Sequence, residues 1–342
     1  MRLLIYELFS TGGMAGGEGL SVLGFSMLDA VLTDFAAVGG LELFTVLDRR
    51  LEASVALGAY AKKVNIRWGS GAGMWREDFT AALRLCDGAL VIAPETDGVL
   101  TKLTTEIESS GKLVIGSTAA ATALAGNKAL ALQRLQDAGL PVPKTEIFNE
   151  PVPQDWVSVI ARRFVLPVVV KPVDGTGCRG ITVAEDAVAL ESARRWVNET
   201  SRQPLFMVQE YISGEPASVS CLVAAGNVLP LVVNRQRIDG GGRFCFKGMT
   251  VPYRHPQSKA AASVAKRACE AIEGLGGYVG VDLVFGPEGP VIMEINPRIT
   301  VAYITLREVV KENLAESICQ VCLERRLPAA PRITGSYTYL ID

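Results

Sequence analysis

The chain has 342 residues, of which 49% are hydrophobic and 20% charged, and its formal net charge is −2. This length suits two or three compact lobes with a cleft between them, and the composition is that of a globular α/β protein rather than a disordered or fibrous one. A charge near zero with dispersed basic residues gives no reason to expect nucleic acid as a partner. No apolar run approaches the roughly 18 residues of a membrane span, so we expect a cytoplasmic protein without membrane contacts.

The first 118 residues alternate between short apolar strands and helical stretches. Each apolar run is continuous, which is typical of strands buried on both faces of a parallel sheet. The predicted strands are 2–6, 41–48, 89–94 and 112–117, and the predicted helices are 20–40 and 74–86. This pattern predicts a doubly wound, Rossmann-like parallel lobe over 1–118.

The loops of this lobe contain the first candidate site residues. Ligands of a doubly wound sheet bind beyond the carboxyl ends of its strands, where Glu7, the Gly-rich segment 12–19 and the segment 94–98 lie. We expect Gly12 and Gly13 to allow close approach of a substrate to the backbone, and Glu7 to face the same cleft. Two alternatives stay open. In the first, Glu7 is a solvated carboxylate at a strand end without a ligand. In the second, the glycines belong to the dinucleotide site of a dehydrogenase, although they form no G-x-G-x-x-G.

Two further units follow along the chain. The central unit, 119–204, is predicted to contain a helix over 119–140, a hairpin around a Gly-rich turn over 164–183 and a helix over 184–200. The last unit, 205–342, is predicted to form an antiparallel sheet with two helices: strands 205–212, 217–226, 228–238, 279–285 and 290–297, and helices 258–275 and 305–323. The Gly-rich loop 238–256 is a candidate lid because it is too long for a hairpin turn.

A phosphate site is indicated by two lysines and a glycine-rich turn. Lys128 opens a helix, Lys171 ends an apolar strand, and the turn D-G-T-G-C-R-G follows directly. The two lysines supply positive charge for a polyphosphate, while the turn glycines Gly175, Gly177 and Gly180 let backbone N–H groups close over its oxygens. Arg179 would add a third charge. The Walker A pattern GxxxxGK[ST] is absent.

A metal site is indicated by acidic residues that interrupt two apolar strands. Asp282 lies in the first strand, and Glu294 and Asn296 lie in the second. On adjacent antiparallel strands these side chains share one face, since side chains alternate with a period of two. Two carboxylates and an amide oxygen suit Mg²⁺, with Mn²⁺ as an alternative. Arg298, just beyond, would bind a phosphate or carboxylate bidentately.

The cysteines and the histidine narrow the chemistry. Seven cysteines are dispersed over a chain that is large enough to bury a core, so we expect no disulfide framework. Cys319 and Cys322 form a CxxC spacing inside a helical pattern with no second pair, which argues against metal or redox work. The single histidine, His255, lies in a Pro-flanked loop. Neither a Ser-His-Asp hydrolase nor a His-ligated zinc enzyme is indicated.

From residue 127 onward, the ordered set of Lys128, Lys171, the Gly turn, QEYISGE at 209–215 and VDLVF-x₈-EINPR resembles the ATP-grasp superfamily over about 200 residues. The resemblance implies an α+β ATP-grasp fold, with two subdomains built on antiparallel sheets after the parallel lobe. It also implies that ATP is bound with Mg²⁺. Gln209, Glu210 and Ile212 match the positions whose backbone pairs with adenine. Glu215 is carried over as the ribose carboxylate, although it lies one residue before the usual position, which Pro216 occupies.

The same resemblance implies a reaction. ATP phosphorylates a carboxylate, an amine attacks the acyl phosphate, and the ligase releases ADP and phosphate. Members such as D-alanine–D-alanine ligase carry an arginine two residues before the aspartate, where this chain has Gly280. The charge of the transition state must then be stabilised elsewhere, and Arg235, Arg237 and Arg298 are the candidates.

The substrates are less constrained than the reaction. The opening ELFSTGG, the strand NRQRI and the compact size look like the branch that joins glutamate, through its γ-carboxyl, to tyramine in methanofuran biosynthesis. Another amino-acid or peptide ligase, and a nucleotide-binding protein without turnover, stay open as alternatives. The partners are thus small molecules, a carboxylate and an amine, and the likeness to this branch implies that Glu7 meets an ammonium group. The oligomeric state is open, with a homodimer as one alternative.

Overall fold

The structure is a computed structural model that describes residues 1–13, 17–52, 58–71 and 73–341. Within these residues it contains three sheets: a five-stranded parallel sheet, a four-stranded antiparallel sheet and a six-stranded antiparallel sheet. The predicted fold class, a parallel lobe followed by two units with antiparallel sheets, is confirmed. None of the described helices is both long and apolar enough to cross a membrane.

The first lobe is a doubly wound parallel sheet. In chain order its elements are β1 (Arg2–Glu7), α1 (Gly17–Phe35), β2 (Glu42–Leu47), β3 (Val64–Trp68), α2 (Trp75–Leu83), β4 (Gly88–Ile92), α3 (Val99–Ser109) and β5 (Leu113–Val114). The strand order is β3-β2-β1-β4-β5, so the direction of winding reverses at β1. A crevice therefore opens beyond the carboxyl ends of β1 and β4, where Glu7 and the segment 93–98 lie. The predicted strand over 112–117 is shorter than expected, and β3 was missed. Part of the Gly-rich segment, at 14–16, lies outside the described residues.

The middle unit is built on the four-stranded sheet. Its elements are α4 (Ala119–Gly126), α5 (Lys128–Asp137), β6 (Thr145–Asn149), α6 (Trp156–Arg163), β7 (Val168–Pro172), β8 (Thr182–Ala184), α7 (Ala187–Thr200) and β9 (Leu205–Glu210). The prediction of one continuous helix over 119–140 is wrong, because the helix is interrupted at Asn127. A second helix begins at Lys128, as predicted for that residue. The Asn127 side chain accepts the N–H groups of Ala129 and Leu130 at 3.1 and 3.2 Å and so starts a second helix at Lys128.

The last unit is built on the six-stranded sheet, whose order is β14-β13-β10-β11-β12-β15. Its elements are β10 (Glu215–Ala224), β11 (Asn227–Asp239), β12 (Cys245–Val251), α8 (Ser258–Glu270), β13 (Gly277–Gly286), β14 (Gly289–Asn296), α9 (Ala302–Val309), α10 (Leu314–Leu323) and β15 (Tyr337–Leu340). The predicted helix over 305–323 is two helices. The side chain of Asn313 caps the second one, accepting N–H groups of Ala315 and Glu316.

Two predictions about this unit are wrong. Residues 205–210 do not join the six-stranded sheet, because β9 pairs with β6 and β7 in the middle unit. We therefore propose that the middle unit extends to Glu210, while the boundary at 118 stays a prediction. The segment 238–256 is not an open loop, since it contains the end of β11 and all of β12, and only residues 240–244 join the two strands. The tip of this hairpin pairs with the middle unit, as the N–H of Val183 donates to the carbonyl of Gly242 at 3.0 Å.

Candidate active site

Two cavities meet at the junction of the three lobes. The first encloses about 1070 Å³, counting the part open to solvent, between the middle sheet and β13 and β14. The second encloses about 1510 Å³ between the first lobe and the six-stranded sheet. Their common lining consists of Thr176, Gly177, Cys178, Gln236, Ile238, Asp282 and Glu294. A ligand in each cavity would therefore meet the other at these residues.

The two predicted acids lie side by side at this junction. Asp282 of β13 is directly opposite Glu294 of β14, and Gly280 is opposite Asn296. The amide of Asn296 donates to Asp282 Oδ2 at 3.2 Å, and the amide of Gln236 donates to Oδ1 at 3.0 Å. Burial and the neighbouring Glu294 raise the pKa of Asp282. Sequence reasoning overlooked Gln236 because it stands between two arginines.

Both predicted lysines are buried at the same junction. Lys128 Nζ lies 3.0 Å from Glu294 Oε2 and donates to the carbonyl of Gly175 at 2.9 Å. Burial raises the pKa of Glu294, but the charges of Lys128 and Lys171 outweigh it and hold that pKa well below its usual range. Burial lowers the pKa of Lys171 to about 8. No ion pair of Lys171 is found among the described residues, although the charge of Glu294 acts on it from farther away, and Lys171 lines the first cavity.

The Gly turn lies over these lysines. Gly175, Gly177 and Gly180 have φ values of 119°, 67° and 80°, which favour glycine. At Gly180 a Cβ atom would lie only 2.6 Å from Thr200 Oγ1. The three glycines are therefore needed for the path of the turn, and this path brings its backbone to the edge of both cavities.

The far end of the first cavity is apolar and includes Val169, Ile212, Leu283 and Met293, together with Gln209 and Glu210. This part of the cavity, the apolar slot, lies next to the segment that joins β9 to β10. Glu215 does not line it. Its carboxylate accepts from Tyr253 Oη at 2.7 Å and lies 3.0 Å from Arg235 Nη2. The predicted ribose contact by Glu215 is therefore not supported by its position.

Arg235 and Arg237 are likewise turned away from the junction. Ser218 of β10 is opposite both Asp282 and Asn234, so these three residues share one face of the sheet. Gln236 belongs to that face by the period of two, and Arg235 and Arg237 belong to the other. The positions of Arg235 and Arg237 therefore do not support their predicted catalytic role, and neither residue lines either cavity. A side chain at Gly280 would require Thr300 to shift, because a Cβ atom there would lie 3.0 Å from Thr300 Cγ2.

Arg298 does reach the junction, but the carboxylate of Glu95 already accepts two hydrogen bonds from its guanidinium group. Its Nε and Nη2 atoms donate to the two carboxylate oxygens of Glu95 at 2.9 and 2.8 Å. Nη2 also donates to Thr176 Oγ1 at 3.2 Å, and Nη1 donates to the carbonyl of Ile299 at 3.2 Å. The predicted bidentate contact of Arg298 with a ligand is therefore not available in this structure. Glu95 was not singled out from the sequence.

Glu7 marks the first-lobe end of the second cavity. Its side chain is buried and accepts the N–H groups of Phe9 and Ser10 at 3.1 and 2.7 Å and the Ser10 hydroxyl at 2.5 Å. Gly24 of α1 leaves room for it, because a Cβ there would lie 2.7 Å from both carboxylate oxygens. Gly12 and Gly13 pack against Asp48 and Leu8 instead and are not among the described residues that line the cavity.

The remaining wall of the second cavity is mainly apolar. It comes from α1, β12 and the residue after β15: Leu23, Met27, Phe246, Met249 and Ile341. The charged lining, Glu7, Asp282, Glu294 and Arg298, is confined to the side near the junction and the first-lobe crevice. The cavity thus offers a polar end for reacting groups and an apolar end for the body of a ligand.

The acid pair suits a hard divalent cation that keeps further ligands. Among the described residues, no cluster of three or more His, Cys, Asp or Glu side chains is arranged to hold a metal ion by itself. The donors are two carboxylates and the Asn296 amide oxygen, a low-charge set typical of Mg²⁺ bound together with phosphate oxygens. Two half-buried carboxylates on opposite positions of adjacent strands repel each other, and the raised pKa of Asp282 reflects this together with burial.

Several known proteins are similar to this chain in sequence or in fold. A family model described as an ATP-grasp domain matches residues 125–302, over half of the chain, and one described as a pre ATP-grasp 3 domain matches 41–122. A tyramine–L-glutamate ligase of Methanocaldococcus jannaschii is 34% identical over 65% of this chain but only 58% of its own length. A D-alanine–D-alanine ligase of Synechococcus sp. is 29% identical over 69% of this chain and 77% of its own.

A solved biotin carboxylase of Campylobacter jejuni has the same fold, with a TM-score of 0.76 at 18% identity, over 98% of this chain and 74% of that one. The family model covers every residue of the junction that lies beyond the first lobe. The dehydrogenase alternative has no support from these matches. The chain belongs to the ATP-grasp family.

Proposed function

We propose that this protein is an ATP-dependent carboxylate–amine ligase. The bond between the γ-phosphorus and the β–γ bridging oxygen of ATP breaks as a substrate carboxylate attacks, which gives ADP and an acyl phosphate. The amine nitrogen then attacks the acyl carbon, loses a proton and expels phosphate. The observation that carries this proposal is the meeting of two cavities at a junction of two buried lysines, a Gly turn and two carboxylates.

The first cavity is proposed to hold ATP. Adenine would lie in the apolar slot beside Gln209, Glu210 and Ile212, and the phosphates would reach the Gly turn and Lys171. A buried cation without a direct ion pair is stabilised by an anion, which is what a phosphate group supplies. Lys128 has a second task, since it also holds Glu294.

Asp282, Glu294 and Asn296 are proposed to hold Mg²⁺ or Mn²⁺. A divalent cation bound there would neutralise charge on the phosphate oxygens. The chain's own residues keep this arrangement in place. Gln236 and Asn296 orient the carboxylate of Asp282, and Lys128 orients that of Glu294.

The second cavity is proposed to hold the acid and the amine. The relative from Methanocaldococcus jannaschii is named for tyramine and L-glutamate, and we propose the same pair here, with the γ-carboxyl of glutamate as the activated group. Glu7 would hold the ammonium group and accept its proton, and the apolar wall would hold the aromatic body of the amine.

The direct test is to supply Mg²⁺-ATP with each amino acid and amine, alone and in pairs, and to measure ADP release and product mass. We expect release to need both glutamate and tyramine, and NMR of the product to show a γ-glutamyl amide. ADP release with D-alanine alone would instead favour a D-alanine ligase. ATP binding without release in any mixture would contradict the ligase proposal.

Glu7 gives this proposal a pH dependence. Burial raises the pKa of Glu7 to about 7, although hydrogen bonds from Ser10 and Phe9 lower it. The ionised form, which attracts an ammonium group, therefore grows as the pH rises from 6 to 8, while an alkylamine stays protonated. We expect the KM for tyramine to fall roughly tenfold over this range.

The matched variant is Glu7→Gln, which keeps the shape of the side chain but cannot ionise. Its KM for tyramine should be high and independent of pH between 6 and 8, with the KM for ATP within about threefold of wild type. An unchanged pH dependence in Glu7→Gln would show that another group titrates.

Ile341 tests the apolar wall. It follows β15, is tied by its N–H to the carbonyl of Lys247 at 3.1 Å, and lines the second cavity. We expect Ile341→Trp to raise the KM for tyramine at least tenfold by filling the space for its ring, and to leave the KM for ATP unchanged. Leu340→Trp is the control, since Leu340 is 55% exposed and lies outside both cavities. Equal effects of the two substitutions on tyramine would contradict the assignment of this wall.

A further inference from the structure

Glu95 and Arg298 form a buried ion pair between the first lobe and the six-stranded sheet. Their side chains are only 5% and 9% exposed, and Glu95 holds both Nε and Nη2 of the guanidinium. With Thr176 and the carbonyl of Ile299 as further acceptors, four of the five N–H groups of Arg298 are used. Among the described residues, no acceptor is found for the remaining N–H, which is on Nη1. Arg298 lines the second cavity, so a ligand there could accept this N–H.

The same first-lobe loop makes a second contact with the Gly turn. The backbone N–H of Asp97 donates to Asp174 Oδ2 at 2.8 Å. Asp97 and Gly98 have φ values of 55° and 64°, so this loop turns back sharply after β4. Asp174 and Thr176 both belong to the turn. The loop over 95–98 is therefore joined to the phosphate-binding turn by a direct hydrogen bond and through Arg298.

We propose that Glu95 is a positioning residue for phosphoryl transfer, acting through Arg298 and Thr176; this inference rests on the proposed ligase function. Glu95 lines neither cavity, so it does not touch a ligand held there. It holds the guanidinium fork in place. The Gly turn is thereby fixed to the first lobe, and a single N–H of Arg298 is left for the reacting groups.

Without Glu95, other acids would compete for Arg298. Glu294 and Asp282 also act electrostatically on its guanidinium, and Arg298 in turn acts on Glu7. A guanidinium released by Glu95 would turn towards Glu294 and Asp282 at the junction and leave Thr176 without its donor. The metal-binding acids and the Gly turn would then both be disturbed, although neither contacts Glu95.

The test compares Glu95→Gln with Asp34→Asn. Asp34 of α1 pairs with Arg307 of α9 at 2.8 Å, so it too joins the first lobe to the last unit, but away from both cavities. Amide hydrogen exchange of residues 174–180 is measured with Mg²⁺ and the non-hydrolysable ATP analogue AMPPNP. We expect Glu95→Gln to accelerate this exchange at least fivefold and Asp34→Asn to leave it unchanged.

Kinetics provide the second readout. In Glu95→Gln we expect kcat to fall at least 30-fold, while the KM for ATP stays within threefold of the wild-type value. Glu95→Asp keeps the charge, so we expect its kcat to lie between those of Glu95→Gln and the wild type. Asp34→Asn should have the wild-type kcat at assay temperatures below the Tm of this variant. Similar exchange and kcat in Glu95→Gln and Asp34→Asn would overturn the inference.

The outcomes separate this inference from the proposed function. A wild-type protein that shows no ligase turnover contradicts the proposed function. Exchange in the AMPPNP complex does not depend on the identity of the acid or the amine, so it still decides whether Glu95 holds the Gly turn. A turn whose exchange is insensitive to Glu95→Gln rejects the positioning role, whether or not the wild type is active.

Discussion

Asp282→Asn is expected to reduce ATP-dependent amide formation at least 1000-fold while leaving the fold intact. The carboxylate lies opposite Glu294 and is oriented by Gln236 and Asn296, and its loss removes half of the negative charge available to a divalent cation. Burial and Glu294 raise the pKa of Asp282, so its charge does not stabilise the ligand-free protein. We therefore expect the Tm to change by no more than about 1.5 °C, roughly 1 kcal/mol for a chain of this size.

The control for this prediction is Glu270→Gln. Glu270 forms an exposed pair with Lys266 at 3.8 Å on α8, and such pairs contribute little. ADP release is measured for both variants over a range of Mg²⁺ and Mn²⁺ concentrations, together with thermal unfolding. A kcat of Asp282→Asn within tenfold of wild type would refute the metal site, since an uncharged amide cannot replace a carboxylate ligand without a large loss.

Lys171→Met is expected to make the ligand-free protein more stable and to abolish ATP binding. Burial lowers the pKa of Lys171 from 10.5 to about 8, and no ion pair of this lysine is found among the described residues. A shift of this size corresponds to about 3 kcal/mol of destabilisation while the amine is charged in both states. Met has a similar shape without the charge, so the Tm should rise, whereas the stabilisation by Mg²⁺-ATP seen in the wild type should disappear.

The pH dependence of this effect follows from linkage. The penalty on the folded state is complete below pH 8, and it shrinks as the pH rises towards 10.5 because the folded protein releases the proton first. The advantage of Lys171→Met in unfolding free energy should therefore decrease across this range. Thermal unfolding at pH 7, 8.5 and 10, with and without ATP, checks this. A lower Tm for Lys171→Met at pH 7 would mean that the lysine has a stabilising partner in the folded protein.

Much of the phosphate and metal machinery could be predicted from the sequence. Asp282 and Glu294 interrupt apolar strands at positions that an antiparallel pair brings opposite each other, and that pairing is local, because only a short turn joins β13 to β14. The position of Lys128 at a helix start follows from Asn127, a preferred N-cap. Such features depend on backbone periodicity within a few residues, which the sequence records directly.

Only the tertiary structure decided which charges meet at the junction. Arg235 and Glu215 looked suitable in the sequence, but the register of β10 against β11 places them on the opposite face from Asp282, where they pair with each other. Glu95 gave no local signal, because its partner Arg298 lies 203 residues away in another lobe. By itself the sequence determined the fold class, the strands of the proposed metal site and the proposed phosphate turn, which arise from short-range patterns. Strand register and the approach of lobes are fixed by packing over long distances. These decided that Gln236 contacts Asp282 and that Glu95 contacts Arg298, whereas Arg235 and Arg237 lie on the opposite face of the sheet.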